Sequence, residues 1–157
     1  MSFVGSYQMK IDNKNRVRLP AKFRSKLPDG FYLNFGTNCI TICSIEEGNR
    51  KIDELFEEAE TPKELECARK LSHLMYEVQP EDQDEQGRFV VPQKFVKYAK
   101  LEKDIWFLGE RDSISLMSDE EYCRMNGEDD ILALGLEIDK MMLRKNKRKK
   151  SEKKEEK

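Results

Sequence analysis

The sequence predicts an α+β protein, mainly β, made of two copies of one small unit with helices between and after them. Three observations lead there. A pattern at 12–23 recurs at 84–95. Short alternating apolar runs, punctuated by turn residues, surround both copies. The segment joining them, 46–74, is charged and carries apolar residues at helical spacing.

The repeat organises the chain. Asp12, Arg16, Pro20, Lys22 and Phe23 coincide with Asp84, Arg88, Pro92, Lys94 and Phe95 at an offset of 72. Residues 31–36 match 104–109 at 73, and residues 40–42 match 114–116 at 74. A drift of one residue at a time is what small loop insertions leave behind. Each unit is too short to bury a large core alone. The two are therefore expected to complete one core by pairing.

Each element has a local reason. Tyr7, Met9 and Ile11 alternate with Gln8, Lys10 and Asp12, a half-buried strand. Residues 12–15 are turn-rich. Asn15 and its counterpart Gly87 are residue types that accept a left-handed backbone. Residues 16–19 read as a second strand. Pro20 ends it and opens a short helix over 21–27. Strands near 31–35 and 39–44 complete a β-β-α-β-β unit, which 75–120 repeats. In the joining segment, Ile52, Leu55, Phe56 and Ala59, then Leu65, Ala68, Leu71 and Met75, predict two helices. Thr61 and Pro62 start the second of these. A third helical region is expected over 119–143, with Ile131, Leu134, Ile138 and Met141 along one face. Beyond Asn146 the chain is low-complexity Lys/Glu, for which a mobile tail is expected. The domain boundaries that follow are 5–48, a helical linker at 49–75, 76–121, and a C-terminal helix with basic tail at 122–157.

Composition narrows the chemistry. Of 157 residues, 38% are hydrophobic and 38% charged, enough for a modest core but not for a large enzyme cleft. No apolar run approaches the ~20 residues of a membrane span. The N-terminal residues carry neither a basic head nor a long apolar stretch. A soluble, cytoplasmic protein without a membrane partner is expected. Cys39, Cys43, Cys67 and Cys123 form no Cys-x-x-Cys pair and read as free thiols. Cys39 and Cys43 lie in a strand-like run, where cysteine packs as a small hydrophobe. His73 is the only histidine and sits among leucines. These counts disfavour a zinc site or a Ser-His-Asp triad. No nucleophile–base pair or glycine-rich phosphate loop occurs, so no enzyme, cofactor, metal or small-molecule substrate is expected.

The net charge of −2 is a cancellation. Residues 1–28 hold seven bases against one acid, and residues 144–157 nine bases against three acids, +6 at each end. The body between carries −14. Such asymmetry points to a polyanion-facing surface on an acidic body.

That surface has a candidate in the first repeat. Alternation places Arg16 and Arg18 on one strand face, with Val17 and Leu19 on the other. Two guanidinium groups about 7 Å apart along a strand suit phosphates or guanine edges. A two-stranded ribbon can enter the major groove of double-stranded DNA, where Arg pairs bidentately with guanine. Lys14 at the turn, with Lys22 and Arg24 on the following helix, would add phosphate contacts. Asp12 is expected to bond the turn's backbone and orient Arg16 across it; Asp84, with Gly87, takes the same position beside Arg88. The second unit keeps Arg88 but has Val90 where Arg18 stands, and residues 81–103 hold five acids and five bases. Its apolar strand is expected to pack against something as well as face the ligand, which suggests oligomerisation.

The pattern Gly-x-Tyr-x-x-x-Ile-Asp-x-Lys-x-Arg-x-x-x-Pro-Ala-Lys-Phe-Arg at Gly5–Arg24 resembles the MraZ family. So does Asp-x-Gln-Gly-Arg-x-x-x-Pro at Asp84–Pro92, followed by Ala-Lys-Leu-Glu-Lys-Asp at Ala99–Asp104. The resemblance covers about residues 3–122. It implies a tandem AbrB-type swapped-hairpin β-barrel (two SpoVT-AbrB domains), assembly into a ring homo-oligomer, and a nucleoid-associated transcriptional regulator. It further implies binding to G-rich direct repeats upstream of the division and cell-wall gene cluster, the protein's own gene included, usually with repression. Arg16 and Arg88 carry over as DNA contacts. The chain departs from the family at Asn15, where Gly is usual, and in its Lys-rich C-terminus, open between a DNA-facing surface and a solubilising extension. A second reading is an antitoxin-like or scaffold module that binds protein through the same barrel.

Overall fold

Alternation sets the strands of this chain, and prolines and turn residues set their ends. The computed structural model describes residues 2–127 and 131–155. The first unit contains β1 (Ser6–Lys10), β2 (Arg16–Arg18), α1 (Ala21–Arg24), β3 (Phe31–Phe35) and β4 (Ile40–Ser44). The helix expected to run to Leu27 is a single turn. Its hydrogen bonds then tighten, Lys26 N–H to Phe23 O and Leu27 N–H to Arg24 O.

The joining segment is the expected pair of helices, α2 (Ile45–Glu58) and α3 (Pro62–Leu74). Ser44 caps α2 by accepting from Glu47 N–H at 3.1 Å, and Thr61 caps α3 by accepting from Glu64 N–H at 3.1 Å. Gly48 of α2 packs where a Cβ would meet the Tyr32 ring.

The second unit contains β5 (Tyr76–Val78), β6 (Arg88–Val90), α4 (Gln93–Ala99), β7 (Asp104–Gly109) and β8 (Ile114–Ser118). Two helices follow, α5 (Asp119–Asn126) and α6 (Ile131–Glu155). The helical region expected over 119–143 is thus two helices, and its residues 128–130 lie outside the described residues. The lysine-rich stretch, for which a mobile tail is expected, continues α6 as far as Glu155; residues 156–157 also lie outside the described residues. The chain divides into two compact units, Met1–Arg124 and Met125–Lys157.

All strand neighbours in the first of these units are antiparallel. Six strands form one sheet in the order β1-β7-β8-β4-β3-β5, and β2 pairs with β6 in a separate ribbon. The order reads the same from either end when the strands of the two repeats are exchanged. The registers are centred accordingly. Thr41 lies opposite Ser115, and Val17 opposite Phe89, each residue facing its own counterpart in the repeat. Register also corrects the sequence match in one place. Leu33 faces Ile42 and Phe107 faces Leu116, so β3 and β7 correspond at an offset of 74, not 73. At 73, buried Leu33 would match half-buried Trp106, the opposite face of its strand.

The strands do not close into a barrel, contrary to the expectation. The sheet ends at β1 and β5, and β2 and β6 pair as strands only with each other. Pro20 and Pro92, two residues beyond these strands, have no N–H to extend a ladder, and the ribbon stops at three pairs. Side chains rather than hydrogen bonds join ribbon to sheet. Val17 and Phe89 are buried, and Phe89 meets Phe31 edge-on at 5.0 Å. The core is contributed equally by both repeats: Leu19 with Val91, and Phe23 with Phe95, are buried pairs at equivalent positions. Each buried Phe is worth roughly 1.5–3 kcal/mol against exposure. The apolar strand of the second unit packs here too, through Phe89 and Val91, while Val90 stays 52% exposed.

Candidate nucleic-acid interface

Both repeat turns are built alike. Asn15 N–H donates to Asp12 O at 3.0 Å and Gly87 N–H to Asp84 O at 2.9 Å, closing a turn. The next residue type matters because the backbone there is left-handed: φ is +60° at Asn15 and +75° at Gly87. Asp12 Oδ1 accepts from the backbone N–H of Lys14 (2.9 Å) and Arg16 (2.8 Å). Its Oδ2 accepts from Arg16 Nε at 2.7 Å. Asp84 repeats this, with Gln86 and Arg88 N–H at 2.9 Å each and Arg88 Nε at 2.7 Å.

These carboxylates are held ionised. The Arg16 backbone N–H is the largest influence lowering the Asp12 carboxyl below its ordinary value; partial burial opposes it, and the Arg16 side chain adds to it. The same order holds for Asp84 with Arg88. Each aspartate holds its arginine by the Nε edge. The Nη groups of Arg16 and Arg88 make no hydrogen bond among the described residues. Both guanidinium side chains are about one-third exposed, 34% and 32%.

The ribbon then collects the arginines. Opposed residues of an antiparallel pair share a face. Arg16 is opposite Val90 and Arg18 is opposite Arg88. One face therefore carries Arg16, Arg18, Arg88 and the exposed Val90, and the other carries buried Val17 and Phe89. Among the described residues, no acidic side chain is paired with Arg18. Lys14 at the turn and Lys22 on α1 are exposed.

Arg24 is placed differently. Its Nη1 donates to Gln86 O at 3.2 Å, and its side chain fills the space a Cβ on Gly87 would need. Arg24 thus secures the second repeat's turn. Asn15, the equivalent of Gly87, instead donates from Nδ2 to Gln93 Oε1 at 2.7 Å, and its carbonyl accepts from Val91 N–H at 2.8 Å. The sequence reading missed these ties and the Arg18–Arg88 opposition. One signal was present: Arg24 matches apolar Val96 in the repeat, so its charge is no part of the shared motif.

A family model described as "MraZ protein, putative antitoxin-like" matches residues 76–133. The chain is similar to the transcriptional regulator MraZ of Clostridium tetani, 34% identical over 126 residues, covering 79% of this chain and 87% of that one. It is 33% identical to the transcriptional regulator MraZ of Caldicellulosiruptor saccharolyticus, covering 77% and 84%. The corresponding protein of Mycoplasmopsis pulmonis is 32% identical over 78% and 82%.

The chain belongs to the MraZ family.

The MraZ relatives are named as regulators rather than enzymes, which fits a surface built of exposed arginines. No helix among the described residues is long and apolar enough to cross a membrane.

Proposed function

We propose that this MraZ-family chain is a sequence-specific DNA-binding transcriptional regulator whose β2–β6 ribbon enters the major groove. The observation that carries the reading is the ribbon face with Arg16, Arg18 and Arg88 together, Arg18 having no ion pair among the described residues. Arg16 and Arg88, each fixed at Nε by an aspartate, present pre-oriented Nη groups for guanine edges. Lys14 and Lys22 contact phosphates and supply salt-dependent affinity. Arg24 does so only with the part of its guanidinium not bonded to Gln86. The two repeats act as the two SpoVT-AbrB domains, 5–48 and 76–121. The DNA is the set of G-rich direct repeats upstream of the division and cell-wall genes, its own gene included. Repression follows from several protomers of a ring binding successive repeats, each weakly and together tightly. The protein then resides at the nucleoid.

Fluorescence anisotropy tests this with the full chain, a duplex from upstream of its own gene, and a scrambled duplex. Arg16→Ala is expected to weaken specific binding about tenfold or more. Equal affinity for the two duplexes overturns the reading. The antitoxin-like alternative draws on the family description. A stable protein partner, recovered without any preference between the duplexes, favours it.

A further inference from the structure

The outward face of the β2–β6 ribbon holds four side chains, and three of them are arginines. The fourth, Val90, is exposed, while its neighbours Phe89 and Val91 are buried. Those two neighbours already supply what this strand gives to the core, so packing does not account for an apolar residue at 90. Nor does the fold demand one there. Exchanging the two repeats brings Val90 onto Arg18, a position that carries a long cation. Arg16 stands directly opposite Val90, with its Nε held by Asp12 at 2.7 Å.

Opposed Cβ atoms of a strand pair lie roughly 5 Å apart. Whatever Val90 meets is therefore next to what Arg16 meets. Base edges in the major groove offer donors, acceptors and one apolar group, the C5 methyl of thymine. Valine has no hydrogen bond to give. It presents two methyl groups on a side chain whose one torsion is restricted by β-branching. Against a thymine methyl, which projects into the groove, it takes apolar surface from water on both partners. Against a guanine or cytosine edge it would cover polar atoms without bonding them, at a cost in affinity.

We infer that Val90 is a specificity-determining residue, which reads the C5 methyl of a thymine beside the base read by Arg16. This assignment rests on the proposed function, in which the ribbon enters the major groove, and gives that site a base that no arginine selects.

The test uses the full chain and the duplex from upstream of its own gene. Each thymine is changed in turn, at the same place in every repeat, to uracil, which lacks only the C5 methyl. Anisotropy is expected to show one position at which the parent binds about fourfold more weakly, the equivalent of one methyl group taken from water. In Val90→Ser that position should become insensitive to uracil, because the two changes remove the same contact. Val90→Arg should lose the methyl dependence and prefer guanine there. A natural duplex preferred over the scrambled one, yet indifferent to uracil throughout, overturns the role of Val90 and leaves the DNA reading standing. A uracil effect of equal size in Val90→Ser assigns the methyl to another side chain and also overturns it. No preference between natural and scrambled duplexes removes the DNA reading, and the role of Val90 with it.

Discussion

Arg18 sits directly opposite Arg88 across the β2–β6 ribbon. Like charges so placed destabilise a strand pair, by up to about 1 kcal/mol relative to a neutral pair. No acid within the described residues pairs with Arg18. On the proposed function, this arrangement is matched to the phosphates and guanine edges of DNA. Arg18→Val, which copies Val90 of the other repeat, is expected to leave the melting temperature unchanged or raise it. The same variant should lose DNA affinity about tenfold. A variant that melts lower would mean that Arg18 has a stabilising role in the chain itself.

The aspartates make the turns pH-sensitive in a defined direction. Asp12 and Asp84 have folded values below the ordinary 3.8. Their contribution is therefore full above the ordinary value and is lost as pH falls through the folded one. Denaturation midpoints should be insensitive to these groups between pH 7 and 5 and drop below about pH 4. In Asp12→Asn/Asp84→Asn the drop should be shallower, because the ionised acceptors are already gone. An identical acid profile in parent and variant would remove both aspartates from the acid response.

Glycine 87 is constrained twice. Its φ of +75° suits few other residues, and a Cβ there would lie 1.9 Å from Arg24 Nη1. Gly87→Ala is expected to cost about 1–3 kcal/mol in chemical denaturation. Adding Arg24→Ala should recover part of the loss, a non-additivity that reports the contact. Asn15→Gly, at the equivalent turn, should stay within about 1 kcal/mol of the parent.

Gly48 runs against the usual rule for helices. Gly→Ala inside a helix normally stabilises by about 1 kcal/mol. Here the added Cβ would meet Tyr32 Cδ2 at 2.3 Å and Cys43 Sγ at 3.3 Å. Gly48→Ala is expected to lower the melting temperature, and Gly48→Ala with Tyr32→Ala to lose less than the two single changes summed.

Much of this was legible in residue order. Alternation around Tyr7, the turn residues at 12–15 and the proline stops located strands that depend on local chemistry. Thr61-Pro62 located a helix start for the same reason. The unclosed sheet was not legible, because hydrogen-bond partners across the two repeats are set by register over seventy residues of separation. The reach of Arg24 to Gln86 was hidden likewise. At the C-terminus, low apolar content argued against burial, yet Lys, Arg and Glu are good helix formers and no Gly or Pro interrupts residues 136–155. Composition speaks there to packing, not to backbone conformation.

The facing pair Val17 and Phe89 has a consequence for evolution of the surface around it. Had two identical chains built this ribbon, every substitution would appear twice and the face would look the same from both directions. Encoding both strands in one gene frees each to vary alone, and the Arg18/Val90 difference is such a divergence. The ribbon has a head and a tail, and so can distinguish the two directions along any polymer lying across it.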